Sequence, residues 1–198
     1  MLRSLLTRIK TFLRRHSLRE EVNGFEPGVE KAFTLDQLLV DASLSGDELL
    51  RSIERQIVQS PVEIGVLFDQ EGNLLVSRTG TTSGINFVHG ELVQMEDGIL
   101  THNHPRGSYF SEQDLYFACD YNLAELRAVA GKKVHRLIRP PAGWDSIKLR
   151  NLWNSELRKL QHNYKQNRAN RSYFEKQAHE LPLKVVKLLS LYTEPQKL

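Results

Sequence analysis

Residues 101–105 read Thr-His-Asn-His-Pro, and residues 111–114 read Ser-Glu-Gln-Asp. This short stretch constrains the fold more than any other part of the chain. Two histidines at i and i+2 point to the same side only when the backbone between them is extended. His102 and His104 therefore demand a strand, and Pro105 ends it by turning the chain out into a loop. Ser111 and Asp114 have the Ser-x-x-Asp spacing of a helix start. A strand, a short loop and a helix N-terminus can bring two imidazoles and a carboxylate to one point. Two imidazoles and one carboxylate with an open fourth position form a catalytic zinc site, whereas structural zinc sites are closed and rich in cysteine. This chain has one cysteine, Cys119.

Asp114 has a plainer explanation as well. Ser111 caps the helix, and Asp114 caps it in return. The two roles are compatible, because a helix N-terminus also offers a hydroxyl and free backbone N–H groups to a developing oxyanion. Hydrolysis at such a site needs a base beside the metal to accept the proton of the attacking water. Glu63 is the candidate. It opens the apolar run Val62-Glu63-Ile64-Gly65-Val66-Leu67-Phe68, where a charge faces either a site or solvent. Alone, a solvated strand end is the commoner explanation. In company with His102, His104, Ser111 and Asp114, the site is.

The remaining pattern predicts an α+β fold, helices flanking a mostly antiparallel sheet. Val62–Phe68 and Leu74–Arg78 read as strands around the turn at Gln70-Glu71-Gly72-Asn73. Ile85–Val88 reads as a further strand and Gly98–His102 as a buried one. Arg127–Ala130 and Val134–Arg139 read as a hairpin around Gly131-Lys132, and Pro140-Pro141 as the end of the sheet. Thr34 or Asp36 would cap a short helix through Val40. Other helices are expected from Asp47 to about Gln59 behind a Ser45 cap, from Ser111 to about Leu126, from Trp144 to about Tyr173, and from Pro182 to about Tyr192. Residues 1–16 set Leu2, Leu5, Leu6, Ile9, Phe12 and Leu13 at helical spacing among arginines. That helix is read as docked on its own domain or another subunit in preference to a membrane surface. The chain thus divides into a basic amphipathic N-terminal helix (1–22), a turn-rich linker and helices (23–59), a core (60–140) and a basic helical C-terminal extension (141–198).

A length of 198 residues suits one main domain with extensions. The mean hydropathy of −0.43 and the absence of an apolar run near about 18 residues argue against a membrane span. A lone cysteine excludes an internal disulfide framework and fits a reducing, cytoplasmic compartment. No signal peptide is expected from the basic N-terminus, which lacks a continuous apolar stretch. The charge is uneven. Residues 1–20 hold six bases against one acid, residues 131–198 hold 15 against five, and the middle holds six against 18. Either the basic ends pack on the acidic body, or they bind an acidic partner such as nucleic acid, anionic lipid or protein.

Glu63, His102-Asn103-His104-Pro105 and Ser111-x-x-Asp114 resemble, in that order, the JAMM motif of the JAB/MPN metalloenzymes. The wording His-Asn-His-Pro-x-Gly is most similar to the RadC-like branch and to phage and prophage domains at the ends of some minor head proteins. The resemblance covers about residues 60–140. It implies a curved sheet flanked by helices and a zinc-dependent peptidase or isopeptidase acting on a protein or peptide. It further implies His102, His104 and Asp114 as zinc ligands, Glu63 as the activator of water and Ser111 as a stabiliser of the tetrahedral intermediate. Two departures stand out. The loop from His104 to Asp114 is one residue shorter than in the eukaryotic deubiquitinases and RadC. The segment between Phe87 and Gly98 has room for only a short helix, which changes one wall of the cleft. Two alternatives stay open: a RadC-like nucleic-acid-associated protein binding through its basic ends, and a phage-assembly module with a structural or vestigial metal site.

Other chemistry is less well supported. His102-Asn103-His104 spells HNH, but the HNH nuclease signature is spread over a ββα-metal unit. A barrel amidohydrolase needs about 250 residues. Cys119 reads as a packed thiol, and Trp144 and Trp153 read as core anchors. His89 and His135 have no assigned partner.

Overall fold

Ile64-Gly65-Val66-Leu67-Phe68 is apolar throughout, and a strand apolar on both sides needs cover on both. The computed structural model, which describes residues 38–166 and 171–198, makes it β1 (Ile64–Phe68), buried at every position. The expected N-terminal helix, the linker at 23–30 and the Thr34 and Asp36 caps lie outside the described residues. The other strands are β2 (Leu74–Thr79), β3 (Ile99–Asn103), β4 (Glu125–Ala130), β5 (Lys133–Ile138) and β6 (Tyr192–Lys197), joined in one sheet of order β2-β1-β3-β4-β5-β6. All pairings are antiparallel except β3 with β4, so the sheet is mixed and the fold is α+β.

Among the described residues, five helices flank the sheet: α1 (Gly46–Ile57), α2 (His89–Leu92), α3 (Glu112–Asp120), α4 (Ser146–Gln166) and α5 (Arg171–Leu188). On one face Leu49, Leu50, Ile53 and Ile57 of α1 pack on Ile64, Val66, Phe68, Val129 and Val134. On the other, Leu67, Leu100, Leu126, Ala128 and Leu137 meet Leu115 and Ala118 of α3, Leu149 and Trp153 of α4, and Val185 and Val186 of α5. A parallel strand pair requires a crossover of a dozen or more residues. Between β3 and β4 that crossover contains α3, and it returns Asp114 to the sheet beside the two histidines. Among the described residues, no helix is long and apolar enough to cross a membrane.

The face under α1 also holds buried charge. Arg127 grips Glu54 with Nε at 2.7 Å and Nη2 at 3.1 Å, and its Nη1 donates to Glu125 at 2.9 Å. Arg136 closes on Glu125 at 2.5 and 2.8 Å, and the Thr101 hydroxyl donates to Glu54 at 3.0 Å. Glu54 is fully buried and Arg127 is 2% exposed. The C-terminal bases are also partly engaged. Arg136 pairs with Glu125, Arg139 with Asp97 and Arg150 with Asp120, all three acids of the acidic middle, while Lys159 and Lys184 share Glu156. Part of the charge imbalance is therefore met by packing.

Several expectations need correction. Ile85–Val88 is not a strand; Ile85 and Phe87 instead lie over Gly65, where an added Cβ would come within 2.9 Å of both. The helix from Ser111 stops at Asp120. Asn122 takes a left-handed conformation (φ 50°), a common helix terminator, and Leu126 enters the core from β4. The long helix expected over 144–173 is two, α4 and α5, and Pro182 lies inside α5 rather than at its start. Ser190 at φ 56° follows the end of α5. The chain then extends the sheet as β6, so Pro140-Pro141 does not end it. Pro195 fits there because an edge strand leaves outward N–H groups unpaired. Leu38–Val40 is not helical. Ser45 holds the N-cap position of α1, but its side chain makes no capping bond. The short helix foreseen between Phe87 and Gly98 is present as α2.

Candidate metal centre

His102 lies in β3, and His104 is the first residue beyond it. The His104 N–H still bonds the Val129 carbonyl at 2.9 Å, so the extended course runs through both histidines and they share a face. They are 3% and 6% exposed. Their Nε2 atoms are 2.8 Å apart. Ser111 caps α3: its Oγ accepts the Asp114 N–H at 3.1 Å, and Asp114 Oδ2 accepts the Ser111 N–H at 2.5 Å. The same carboxylate also reaches the imidazoles, with Oδ1 3.5 Å from His102 Nε2 and Oδ2 3.4 Å from His104 Nε2. The cap and the approach to the imidazoles coexist in one carboxylate.

The spacing fits a metal. A zinc ion about 2.0–2.1 Å from tetrahedral ligands sets those ligand atoms about 3.3 Å apart. Here the two imidazole nitrogens are 2.8 Å apart, and each has one oxygen of the Asp114 carboxylate 3.4–3.5 Å away, Oδ1 beside His102 and Oδ2 beside His104. Among the described residues, this is the one group of three such side chains whose ligand atoms meet within 4.8 Å. The electrostatics agree. Burial alone would raise the Asp114 carboxyl, but the two imidazoles hold it well below its ordinary value. Burial alone would lower His104, but the Asp114 hydrogen bond and the charges of Asp114 and Glu63 raise it. A site that draws a proton this way also favours a cation that replaces it.

A second layer orients His104. Its Nδ1 lies 2.7 Å from Ser108 Oγ and 3.1 Å from the Ser108 carbonyl. A proton on Nδ1 is held between the Ser108 hydroxyl oxygen, the nearer acceptor, and the Ser108 carbonyl, which leaves the Nε2 lone pair for a metal. His102 Nδ1 is buried and has no such partner. Ser108→Ala is expected to weaken zinc binding about tenfold without unfolding the chain, as measured by competition with a chromophoric chelator. Unchanged affinity would remove the Ser108 hydroxyl from the site and leave the carbonyl as the partner of His104. Ser108 was not singled out in the sequence; its signal is a hydroxyl four residues after a ligand in a tight loop.

Glu63 precedes β1. Its N–H bonds the Thr81 carbonyl at 2.8 Å, and its C=O accepts the Gly80 N–H at 2.7 Å. The β1–β3 register ends with Gly65 facing His102, and Glu63, two residues before Gly65, falls by alternation on the same face. Directly opposed residues share a face of the sheet. Burial raises the Glu63 carboxyl, both imidazoles and Arg106 oppose that, and Asp114 adds to it.

The remaining candidates are structural. His135 shares a row with His102 across Ala128. Its Nδ1 meets the Tyr192 hydroxyl at 3.0 Å, a partner that sequence alone did not supply. Burial pushes the Cys119 thiol up to about 11, which suits a packed thiol and not a nucleophile. Trp153 is buried, and Trp144 Nε1 donates to the Leu123 carbonyl at 2.7 Å. Comparison with protein-family models, curated proteins and solved structures finds no match to the chain.

Proposed function

We propose that the chain is a zinc-dependent hydrolase of JAMM type, on a JAB/MPN-like fold, that cleaves a peptide or isopeptide bond. The observation that supports it most is the meeting of His102, His104 and Asp114 within 4.8 Å, with Glu63, just before the neighbouring strand, under the influence of their charges. His102, His104 and Asp114 would hold the ion. When bound, zinc supplies Lewis acidity, polarising a carbonyl and bringing the pKa of water down to about 7. Glu63 accepts the proton of the attacking water and passes it to the leaving amine, and its raised pKa moves its basicity toward neutral pH. The Ser111 oxygen already accepts the Asp114 N–H, so its own proton is left to donate to the oxyanion of the tetrahedral intermediate.

The test uses two probe sets, an internally quenched peptide library and peptides joined through a lysine ε-amine. Zinc-loaded protein is expected to cleave members of one set, to stop on chelation and to resume when zinc is restored. Cleavage that survives chelation, or no cleavage in either set, counts against the proposal.

A further inference from the structure

Asn103 stands between the two imidazoles in sequence, but alternation along the strand puts its side chain on the opposite face of β3. It is 1% exposed. Its Oδ1 accepts the Ile64 N–H at 2.6 Å, and its Nδ2 donates to the carbonyls of Val62 at 3.0 Å and Ser60 at 3.3 Å. Val62 and Ile64 are the residues on either side of Glu63. Glu63's own N–H and C=O bond Thr81 and Gly80 on the β2 side. Regular pairing of β1 with β3 stops at Gly65 and His102. Beyond that point one amide side chain takes the place of the ladder. The task needs an acceptor and two donors in one plane, which a primary amide supplies and a hydroxyl does not. Without it, the Ile64 N–H and the Ser60 carbonyl lose this partner, and the Val62 carbonyl is left with the Ser60 hydroxyl at 2.8 Å.

We propose that Asn103 is a positioning residue for Glu63. It fixes the backbone on both sides of the base and takes no part in holding the metal, although both its chain neighbours do. The proposal rests on the assignment of Glu63 as the general base. It links the two halves of the site, since the strand that supplies the imidazoles also sets the place of the carboxylate beside them.

The test compares the full-length chain with Asn103→Ala and Asn103→Thr. The threonine variant keeps a good strand former in case the alanine variant does not fold. Cobalt(II) is the probe metal. Three quantities are read: amide exchange at Ile64 in metal-free protein, cobalt affinity, and the paramagnetic shift of the 13C-labelled Glu63 carboxyl. Ile64 exchange is expected to quicken about tenfold, as for one lost buried hydrogen bond. Cobalt affinity is expected to change less than about threefold, against the about 10- to 100-fold seen when a ligand loses its supporting partner. The Glu63 shift is expected to fall to less than about half, a displacement that mere loosening of the fold elsewhere would not produce. An unchanged Glu63 shift in a folded variant overturns the proposal. So does a drop in cobalt affinity of about tenfold or more alongside it, since Asn103 would then support the whole site. A wild-type chain that takes up no cobalt leaves no base to position and overturns it too. If the carboxyl moves as expected but Glu63→Gln leaves hydrolysis intact, the positioning stands and only the assignment of the base falls.

Discussion

The Glu63→Gln chain is expected to bind zinc as the wild type does and to hydrolyse its substrate about a thousandfold more slowly. Glutamine keeps the shape of the side chain and loses the ability to take a proton. The three ligand residues lie in β3, just past its end and in α3, none of them next to Glu63 in the chain, so the substitution leaves them in place. The same variant has a second signature in the metal-free protein. Burial raises the Glu63 carboxyl above its ordinary value, so the folded chain binds that proton more tightly than the unfolded chain. The resulting stability is fully present below the unfolded-state pKa and is lost as pH rises through the folded-state pKa. At neutral pH the ionised carboxylate therefore burdens the fold. Glu63→Gln should raise the melting temperature there, and the gain should shrink as the solution is made acidic. Zinc stoichiometry, turnover of a cleaved probe and thermal melts check the three parts. A variant that turns over normally removes Glu63 from the mechanism.

Arg127→Ala is expected to destabilise the chain by about 3–5 kcal/mol, the range for a buried ion pair that loses one partner. The guanidinium is the main counter-charge of Glu54, which is fully buried beneath α1. Glu125 keeps Arg136, but Glu54 keeps only the Thr101 hydroxyl. At about 2–4 °C per kcal/mol for a chain of this size, the melting temperature should drop by about 10 °C. Replacing both partners, as in Glu54→Leu with Arg127→Met, should recover most of the loss, because the unpaired charge goes with the pair. The network lies on the α1 face and the imidazoles on the other, so zinc affinity of the folded Arg127→Ala chain should match wild type. Chemical denaturation gives the first number. A loss below about 1 kcal/mol would mean that water or a rearranged side chain reaches Glu54.

What was legible in the sequence has a local cause. The two histidines announce their strand because side chains alternate with period two, and Ser111 announces its helix because capping chemistry is confined to four residues. Apolar β1 and the hairpin at Gly131-Lys132 are read the same way. What was missed depends on distant partners. Glu54 looks like an ordinary helix residue until Arg127 is brought beneath it from 73 positions away. Asn103 looks like a spacer until its amide meets residues 60–64. Leu123 and Leu126 satisfy a helical pattern as well as they satisfy a turn and a strand, and only Asn122 decides between them. β6 was hidden because Pro182 reads as the start of a helix that runs to about Tyr192, and a proline at 195 does not suggest a strand. Packing of Leu181, Val185 and Val186 overrides the first, and an edge position tolerates the second.

The central claim is that one cation and one base meet at β3. A crystal structure of the zinc-loaded protein, with the ion located by its anomalous scattering, tests it most directly. Zinc is expected about 2.0–2.2 Å from Nε2 of His102, Nε2 of His104 and an oxygen of Asp114, with the Glu63 carboxylate in reach through one water. Zinc bound elsewhere, or a Glu63 side chain turned away from the two imidazoles, would contradict the account.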